Sequence, residues 1–408
     1  MTPPTSLLPD RICHRPEDDP IFALNREASA RRAKGEKIIN ATVGSLLEDD
    51  GKLAVLPSVV EALHQVPAAA GAAYAPILGN PDFLKAATED LLGGTPLADR
   101  TVAVATSGGL GAIRHAVSLF TEHRQAVVTS SFFWGPYTAV CDEHERDLRC
   151  FTMFDEQGAL NVAALERTLA EVEPQGRLLV ILNDPCHNPS GYSMSAADWA
   201  ATVEVLTRAA QRVPLAVLCD VAYLVYARDL RRHFLRYLEP LTEHAIVAFA
   251  WSASKAFTQY GLRVGALIAC TTDTTVHAPL RRAFLYSSRG TWSNVNAGGQ
   301  HAITRCLTDP TVRARVDSER ARIRTLLHAR VDAFNAAARG TALKFPRYEG
   351  GFFICIFTDH AEPAAERLKE HGIYVVPQKG ALRVALCSVA EADIPRLVET
   401  IDSLLREG

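Results

Sequence analysis

Residues Trp251–Gly265 read WSASKAFTQYGLRVG, and this stretch decides the reading of the whole chain. An apolar run, AIVAFAW (Ala245–Trp251), leads directly into it, so Lys255 is delivered to the edge of a sheet. Ser252 stands three residues before Lys255 and Arg263 eight after it. An amine, hydroxyls and a guanidinium are thereby gathered near one strand end. That set suits an amine that bonds a carbonyl carbon while its neighbours hold an anion. The alternative for S-x-S-K alone is an exposed surface lysine.

Outward from this stretch, short apolar runs alternate with amphipathic ones. TVAVAT (101–106), AVVTSSFF (126–133), RLLVILN (177–183), LAVLCDVAY (215–223), AIVAFAW and VGALIAC (264–270) read as buried strands. Between most of them lie helical stretches such as GAIRHAVSLFTEH (111–123) and SAADWAATVEVLTRAAQRV (195–213). The alternation predicts an α/β fold: a large domain with a mostly parallel central sheet flanked by helices. Ligands in such folds gather at the carboxyl ends of the strands. Beyond about residue 310 a long charged helix, TVRARVDSERARIRTLLHARVDAFNAAAR, precedes FFICIFTD, a helix around AERLKEHG, then YVVP and LRVALC. That order predicts a smaller α+β domain, with the first 45 or so residues packed against it. The expected division is 1–48 as N-terminal arm and part of the small domain, 49–309 as large domain, and 310–408 as small domain.

The chain has 408 residues, 48% hydrophobic and 22% charged, with a formal net charge of −3. This is ordinary globular composition with material for a large core. No excess of positive charge favours nucleic acid. The densest basic runs, LRRHFLR and RARVDSERARIR, read as solvated helix faces. The nine cysteines show no C-x-x-C pair and no zinc-ligand spacing, so free thiols in a reducing cytosol are expected and no metal. The N-terminus, MTPPTSLLPDRICHRPEDDP, lacks the apolar core of a signal peptide and is expected to fray. No apolar run approaches the roughly 20 residues of a membrane span. A soluble cytoplasmic protein is the expectation.

Further candidate residues fall mostly at strand ends. SGGLGAIRHAV starts at Ser107 after a strand, and Gly108, Gly109 and Gly111 permit close backbone approach where a helix begins. It is either an anion site or an ordinary tight strand-to-helix turn. Asp220 ends LAVLCD, with Tyr223 three residues on. A desolvated carboxylate there needs a partner such as a protonated pyridine nitrogen, with Tyr223 donating to a phenolic oxygen; a helix N-cap is the alternative. Asn188 lies in the turn NDPCHNPSGY (183–192), presenting its amide to a ligand or to its own backbone. Trp134 in SSFFWGPY can stack on a planar ring or sit in the core. Arg383 interrupts the apolar GALRVALC and needs an anion, such as a substrate carboxylate, or a route to solvent.

Pyridoxal phosphate (PLP) is the cofactor that calls on a lysine amine, a phosphate cradle, an acid and an aromatic plate together. The order and wording of these motifs, from about Ile39 to Val389, resemble the PLP-dependent transferases of fold type I. They are most similar to the class I aminotransferases of the aspartate and aromatic amino acid group. The resemblance implies that Lys255 forms the Schiff base and shuttles protons, that Asp220 and Tyr223 tune the ring, and that Ser107, Gly108, Gly109, Ser252, Ser254 and Arg263 serve the phosphate. Trp134 falls on the ring-stacking tryptophan and Asn188 on a family position. INATVGSLLEDDGKLAVLPSV (39–59) looks like a substrate-covering segment with Gly44 near the substrate carboxylate, which Arg383 binds. YAPILGNPDF implies that Tyr74 reaches the cofactor phosphate of a neighbouring subunit in a homodimer. RGTWSN (289–294) is similar to the segment whose arginine crosses that interface, so Arg289 implies a dicarboxylate substrate, whereas Trp292 points to an aromatic one.

The resemblance thus implies ping-pong transfer of an amino group from an L-amino acid, aspartate or glutamate or an aromatic one, to a 2-oxo acid such as 2-oxoglutarate. The alternative is a PLP-dependent lyase of the same fold, of the C–S lyase or aminocyclopropane-carboxylate synthase kind. A regulator with a DNA-binding module ahead of this fold is disfavoured, because fewer than 45 residues precede the match. Tyr137 and Asn183 are departures: each stands where relatives place a histidine.

Overall fold

The computed structural model describes residues 7, 8, 13, 15, 19–228 and 233–407. Most of the N-terminal stretch expected to fray, and residues 230–232 of the LRRHFLR run, lie outside the described residues. The strands are β1 (Ile39–Asn40), β2 (Thr101–Ser107), β3 (Ala126–Ser130), β4 (Asp147–Phe151), β5 (Leu178–Asn183), β6 (Leu215–Asp220), β7 (Ile246–Ser252), β8 (Val264–Cys270), β9 (Phe353–Phe357), β10 (Ile373–Tyr374), β11 (Val376–Gln378) and β12 (Ala381–Ala385).

Seven strands form the large sheet in the order β2-β8-β7-β6-β5-β3-β4. The pairs from β7 through β4 are parallel, while β8 runs antiparallel to both β2 and β7. β3, β5, β6 and β8 are buried at every residue, which is why they read as continuous apolar runs. The chain is therefore α/β with a mostly parallel, helix-flanked sheet.

A separate three-stranded antiparallel sheet, β11-β12-β9, and the two-residue parallel pair β1-β10 make the smaller part. Its core gathers Ile39, Phe334, Ile354, Leu382, Leu397 and Ile401. The helix Pro310–Ala337 opens with Pro310 and an Asp309 N-cap that accepts from Thr311 N (2.9 Å) and Val312 N (3.1 Å). Its stretch up to Leu327 gives Val316, Ile323 and Leu327 to the large core, and the remainder gives Val331 and Phe334 to the small one. The fully buried guanidinium of Arg330 ties this helix to Leu47 O and Cys387 O, both at 2.7 Å, and to Asp49. That bond set joins the segment after Gly44 to the end of the β12 region.

Candidate active site

β2 ends at Ser107, β5 at Asn183, β6 at Asp220 and β7 at Ser252, and the oppositely directed β8 begins right after Arg263. Register aligns these ends: Asn183 opposite Asp220, Asp220 opposite Ala250, Ser252 opposite Gly265, and Ser107 opposite Val264. One edge of the large sheet thereby collects most of the residues singled out in the sequence.

Lys255 sits on the short helix Ala253–Ala256 that continues β7. The Ser252 hydroxyl starts that turn by accepting from Ser254 N (3.2 Å), and Tyr226 Oη donates to Lys255 O (3.0 Å). The amine lies 4.9 Å from the ring centre of Tyr260 and 5.9 Å from that of Tyr223. Burial, helped by the Arg263 guanidinium and opposed by Cys387 and Asp220, lowers its pKa to about 8. An amine so tuned is neutral and nucleophilic in about one molecule in ten at pH 7 and in about half at pH 8, far more than an ordinary lysine.

Beside it is a built anion cradle. The helix Gly108–Phe120 starts where β2 stops, so its first N–H groups have no intrahelical acceptor. Arg263, held at φ 60°, donates to Tyr260 O (2.9 Å), Ser254 Oγ (3.3 Å) and Ser107 O (3.2 Å). Gly108 has φ +68°, and a Cβ there would stand 2.4 Å from Arg263 Nη2. A Cβ on Gly265 would stand 2.6 Å from the Gly108 carbonyl carbon. Both glycines are required for this close approach of helix start and strand.

Opposite the cradle, the carboxylate of Asp220 is 5% exposed. Its Oδ2 accepts from Tyr137 Oη (2.8 Å) and its Oδ1 from Ala222 N (3.2 Å). Burial raises its pKa, while the Tyr137 and Ala222 bonds and the Lys255 charge pull the other way. Asp220 caps no helix, since only a three-residue 3₁₀ turn, Leu224–Tyr226, follows. Asn183 Nδ2 donates to Asp220 O (2.9 Å), and Asn183 Oδ1 accepts from Asn188 N (2.6 Å). Asn188 Nδ2 is 3.5 Å from Tyr223 Oη, and Asn188 Oδ1 is buried with no partner among the described residues. Trp134 is half-buried and meets Tyr137 edge-on, ring centres 5.9 Å apart.

Arg383 reaches the same region from the small sheet, where it pairs with Cys355 on β9 and Val376 on β11. It is 3% exposed, donates to Thr42 O, and lies 4.7 Å above the Phe353 ring. Its Nε has no partner among the described residues, and burial lowers its pKa. Gly44 makes room for that ring, because a Cβ would stand 2.4 Å from Phe353 Cζ.

Three of the singled-out residues, Tyr74, Arg289 and Trp292, stay outside this cluster. Tyr74 is 91% exposed. Arg289 is exposed near the end of the helix His277–Thr291 and donates to Ser293 Oγ (2.6 Å). Trp292 is committed to its own chain: its ring packs on His115 (4.7 Å) and against Gly111. Sequence reasoning missed Tyr260, which takes the Leu46 N–H (2.9 Å) on its hydroxyl and lies beneath the Lys255 amine. Its place five residues after Lys255 in the opening stretch was the available signal.

These residues fit PLP on observations of this chain. A buried amine of lowered pKa, a cradle lined by glycines and Arg263, a buried carboxylate and an Asn188 Oδ1 with no partner among the described residues gather at one end of the large sheet. Among the described residues, no group of three or more His, Cys, Asp or Glu is placed to hold a metal, and no helix is long and apolar enough to cross a membrane.

Fold and site together define an α/β protein with a second, smaller sheet and a buried lysine at the carboxyl end of its large one. The model of the aminotransferase class I and II family matches residues 36–401, and the chain belongs to that family. It is a transaminase. Among curated relatives it is 27% identical to tyrosine aminotransferase of Klebsiella pneumoniae over 380 residues, covering 90% of this chain and 93% of the relative. It is 26% identical to aspartate aminotransferase of Pseudomonas aeruginosa over 400 residues, covering 95% and 97%. Among solved structures, an aminotransferase from Anaerococcus prevotii superposes with a TM-score of 0.93 at 30% identity, covering 98% of this chain and 99% of that one.

Proposed function

We propose that this transaminase uses pyridoxal phosphate and moves the amino group of an L-amino acid to a 2-oxo acid such as 2-oxoglutarate in two half-reactions of ping-pong form. Aspartate and glutamate are the proposed donors, with aromatic amino acids also accepted. The neighbouring aminotransferase of Burkholderia pseudomallei is described as covalently bound to pyridoxal phosphate, and the relatives are named for tyrosine, aspartate and aromatic amino acids. The carrying observation is the Lys255 amine, depressed to about 8 and set between the Arg263 cradle and Asp220.

When bound, the cofactor supplies an aldehyde that joins amines and a ring that accepts electrons. Ser107, Gly108, Gly109, Ser252, Ser254 and Arg263 hold the phosphate. Trp134 would flank the ring, Asn188 and Tyr223 would serve its phenolic oxygen, and Asp220 would keep its nitrogen protonated. Arg383, with Asn188 and Gly44, takes the α-carboxylate of the substrate and fixes its Cα near Lys255. Lys255 Nζ, neutral in part at working pH, takes the proton from that Cα, a role worth ~10²–10⁴-fold.

The proposed assembly is a cytoplasmic homodimer in which Tyr74 and Arg289 complete the neighbouring site. Their exposure on the single chain supports that reading. The proposed domain division is 1–48, 49–309 and 310–408; it is supported by the small core, which joins Ile39 and Ala41 to residues from Val331 onward.

A survey of half-reactions tests the proposal: PLP-loaded enzyme is mixed with single amino acids, and oxo acid and ammonia are measured. Oxo acid without ammonia, fastest from aspartate and glutamate, is expected. Pyruvate with stoichiometric ammonia would instead mark a lyase, and preference for aromatic donors would displace Arg289 as the selecting residue.

A further inference from the structure

Among the described residues Asp220 has one side-chain hydrogen-bond donor, and that donor is a phenol. Tyr137 is 1% exposed, packed parallel to Phe133 with ring centres 6.4 Å apart and edge-on to Trp134. These contacts leave its hydroxyl committed to Asp220 Oδ2 at 2.8 Å. The second polar neighbour, Asn183, is an amide that bonds the Asp220 carbonyl. Neither group changes charge between pH 5 and 9, since an amide does not titrate and burial pushes the Tyr137 phenol well above its ordinary range. Imidazole, by contrast, has its ordinary titration within that window.

We propose that Tyr137 is a positioning residue that holds Asp220 as a carboxylate, and that with Asn183 it makes this hold independent of pH. The inference rests on the proposed PLP site and deepens it. A buried carboxylate is costly unless hydrogen-bonded, and hydrogen bonds to charged groups are the stronger kind. The other titratable groups that sense Asp220 are Lys255, Tyr223 and Cys219. Burial keeps the phenol and the thiol protonated, so Lys255 is the one neighbour of the three that changes charge near neutral pH, losing it above about pH 8. Between pH 5 and 7 the groups around Asp220 therefore present it with a nearly constant charge.

The test compares wild type, Tyr137→Phe and Tyr137→His. In each apoprotein, the Asp220 carboxyl is titrated by ¹³C NMR; in each holoenzyme, the PLP dissociation constant and absorbance are followed from pH 5 to 9. Tyr137→Phe, which keeps the ring and its packing, is expected to raise the Asp220 midpoint by about one pH unit or more and to weaken PLP binding about tenfold to a hundredfold. Tyr137→His is expected to restore binding at high pH and to add a titration step near 6.5 that wild type lacks. Unchanged carboxyl midpoint and PLP affinity in Tyr137→Phe would overturn the inference. So would a wild-type Asp220 that titrates within the window, a measurement that stands even if the variants fail to fold. A wild type that binds no PLP contradicts the proposed function instead, and the apoprotein titration still decides the role of Tyr137.

Discussion

Replacing Arg383 by methionine separates recognition from stability in one variant. The guanidinium is 3% exposed, makes one hydrogen bond to Thr42 O, and leaves Nε unpartnered. In the absence of an anion it is a poorly compensated buried charge, and such groups give little net stability. Methionine keeps an apolar chain over the Phe353 ring, which the guanidinium now covers at 4.7 Å. Folding stability of the variant is therefore expected to stay within about 1–2 kcal/mol of wild type, in either direction. Substrate binding behaves differently. A carboxylate seated on Arg383 forms two charge-assisted bonds worth about 1.5–3 kcal/mol each, or about 3–6 kcal/mol together. That corresponds to a loss of about two to four powers of ten in kcat/KM for amino acids. An amine of the same side chain but without the carboxylate loses no such contact, and its much slower turnover is expected to be unchanged. Urea denaturation and steady-state kinetics on matched pairs, phenylalanine against 2-phenylethylamine, read both quantities. Equal losses for acid and amine, or an unchanged amino acid kcat/KM, would refute the assignment.

Two further outcomes follow from the geometry. The rate at which apoenzyme captures PLP depends on unprotonated amine, so with Lys255 depressed to about 8 it is expected to rise through about pH 8, well below the ordinary lysine value of 10.5; stopped-flow absorbance across pH 6–10 checks this, and a midpoint near 10 would contradict the burial argument. Gly191, at φ +74°, closes the turn that carries Asn188, and a Cβ there would stand 2.3 Å from Phe353 O and 2.5 Å from the Tyr348 ring. Gly191→Ala is expected to cost about 2–4 kcal/mol of stability by chemical denaturation, from overpacking and backbone strain together.

Much of this was legible in the sequence because the chemistry sits where apolar runs stop. The fully buried strands β5, β6 and β8 carry an uninterrupted hydrophobic signal, so their ends, and with them Asp220, were located by pattern alone. β4 was not visible: DLRCF lies at the sheet edge with most residues exposed, and it has no apolar run to read. Nor does composition reveal that β8 runs against its neighbours, since VGALIAC buries both faces in either direction. The two-residue β1 is held by pairing with β10 across the chain, a contact without local signature. The Tyr137–Asp220 bond joins residues 83 positions apart, and sequence reading found only that a histidine was replaced there. The roles proposed for Tyr74 and Arg289 call on a second chain, and their exposure on this one is the feature that the single chain displays.

The central claim is that the ε-amine of Lys255 is the covalent attachment point of the cofactor. Reducing PLP-loaded protein with borohydride, digesting it and mapping the pyridoxyl mass by tandem spectrometry tests it directly. The account predicts one stoichiometric label on the peptide containing Lys255, absent from Lys255→Ala. A label on another lysine, or none at Lys255, would contradict it.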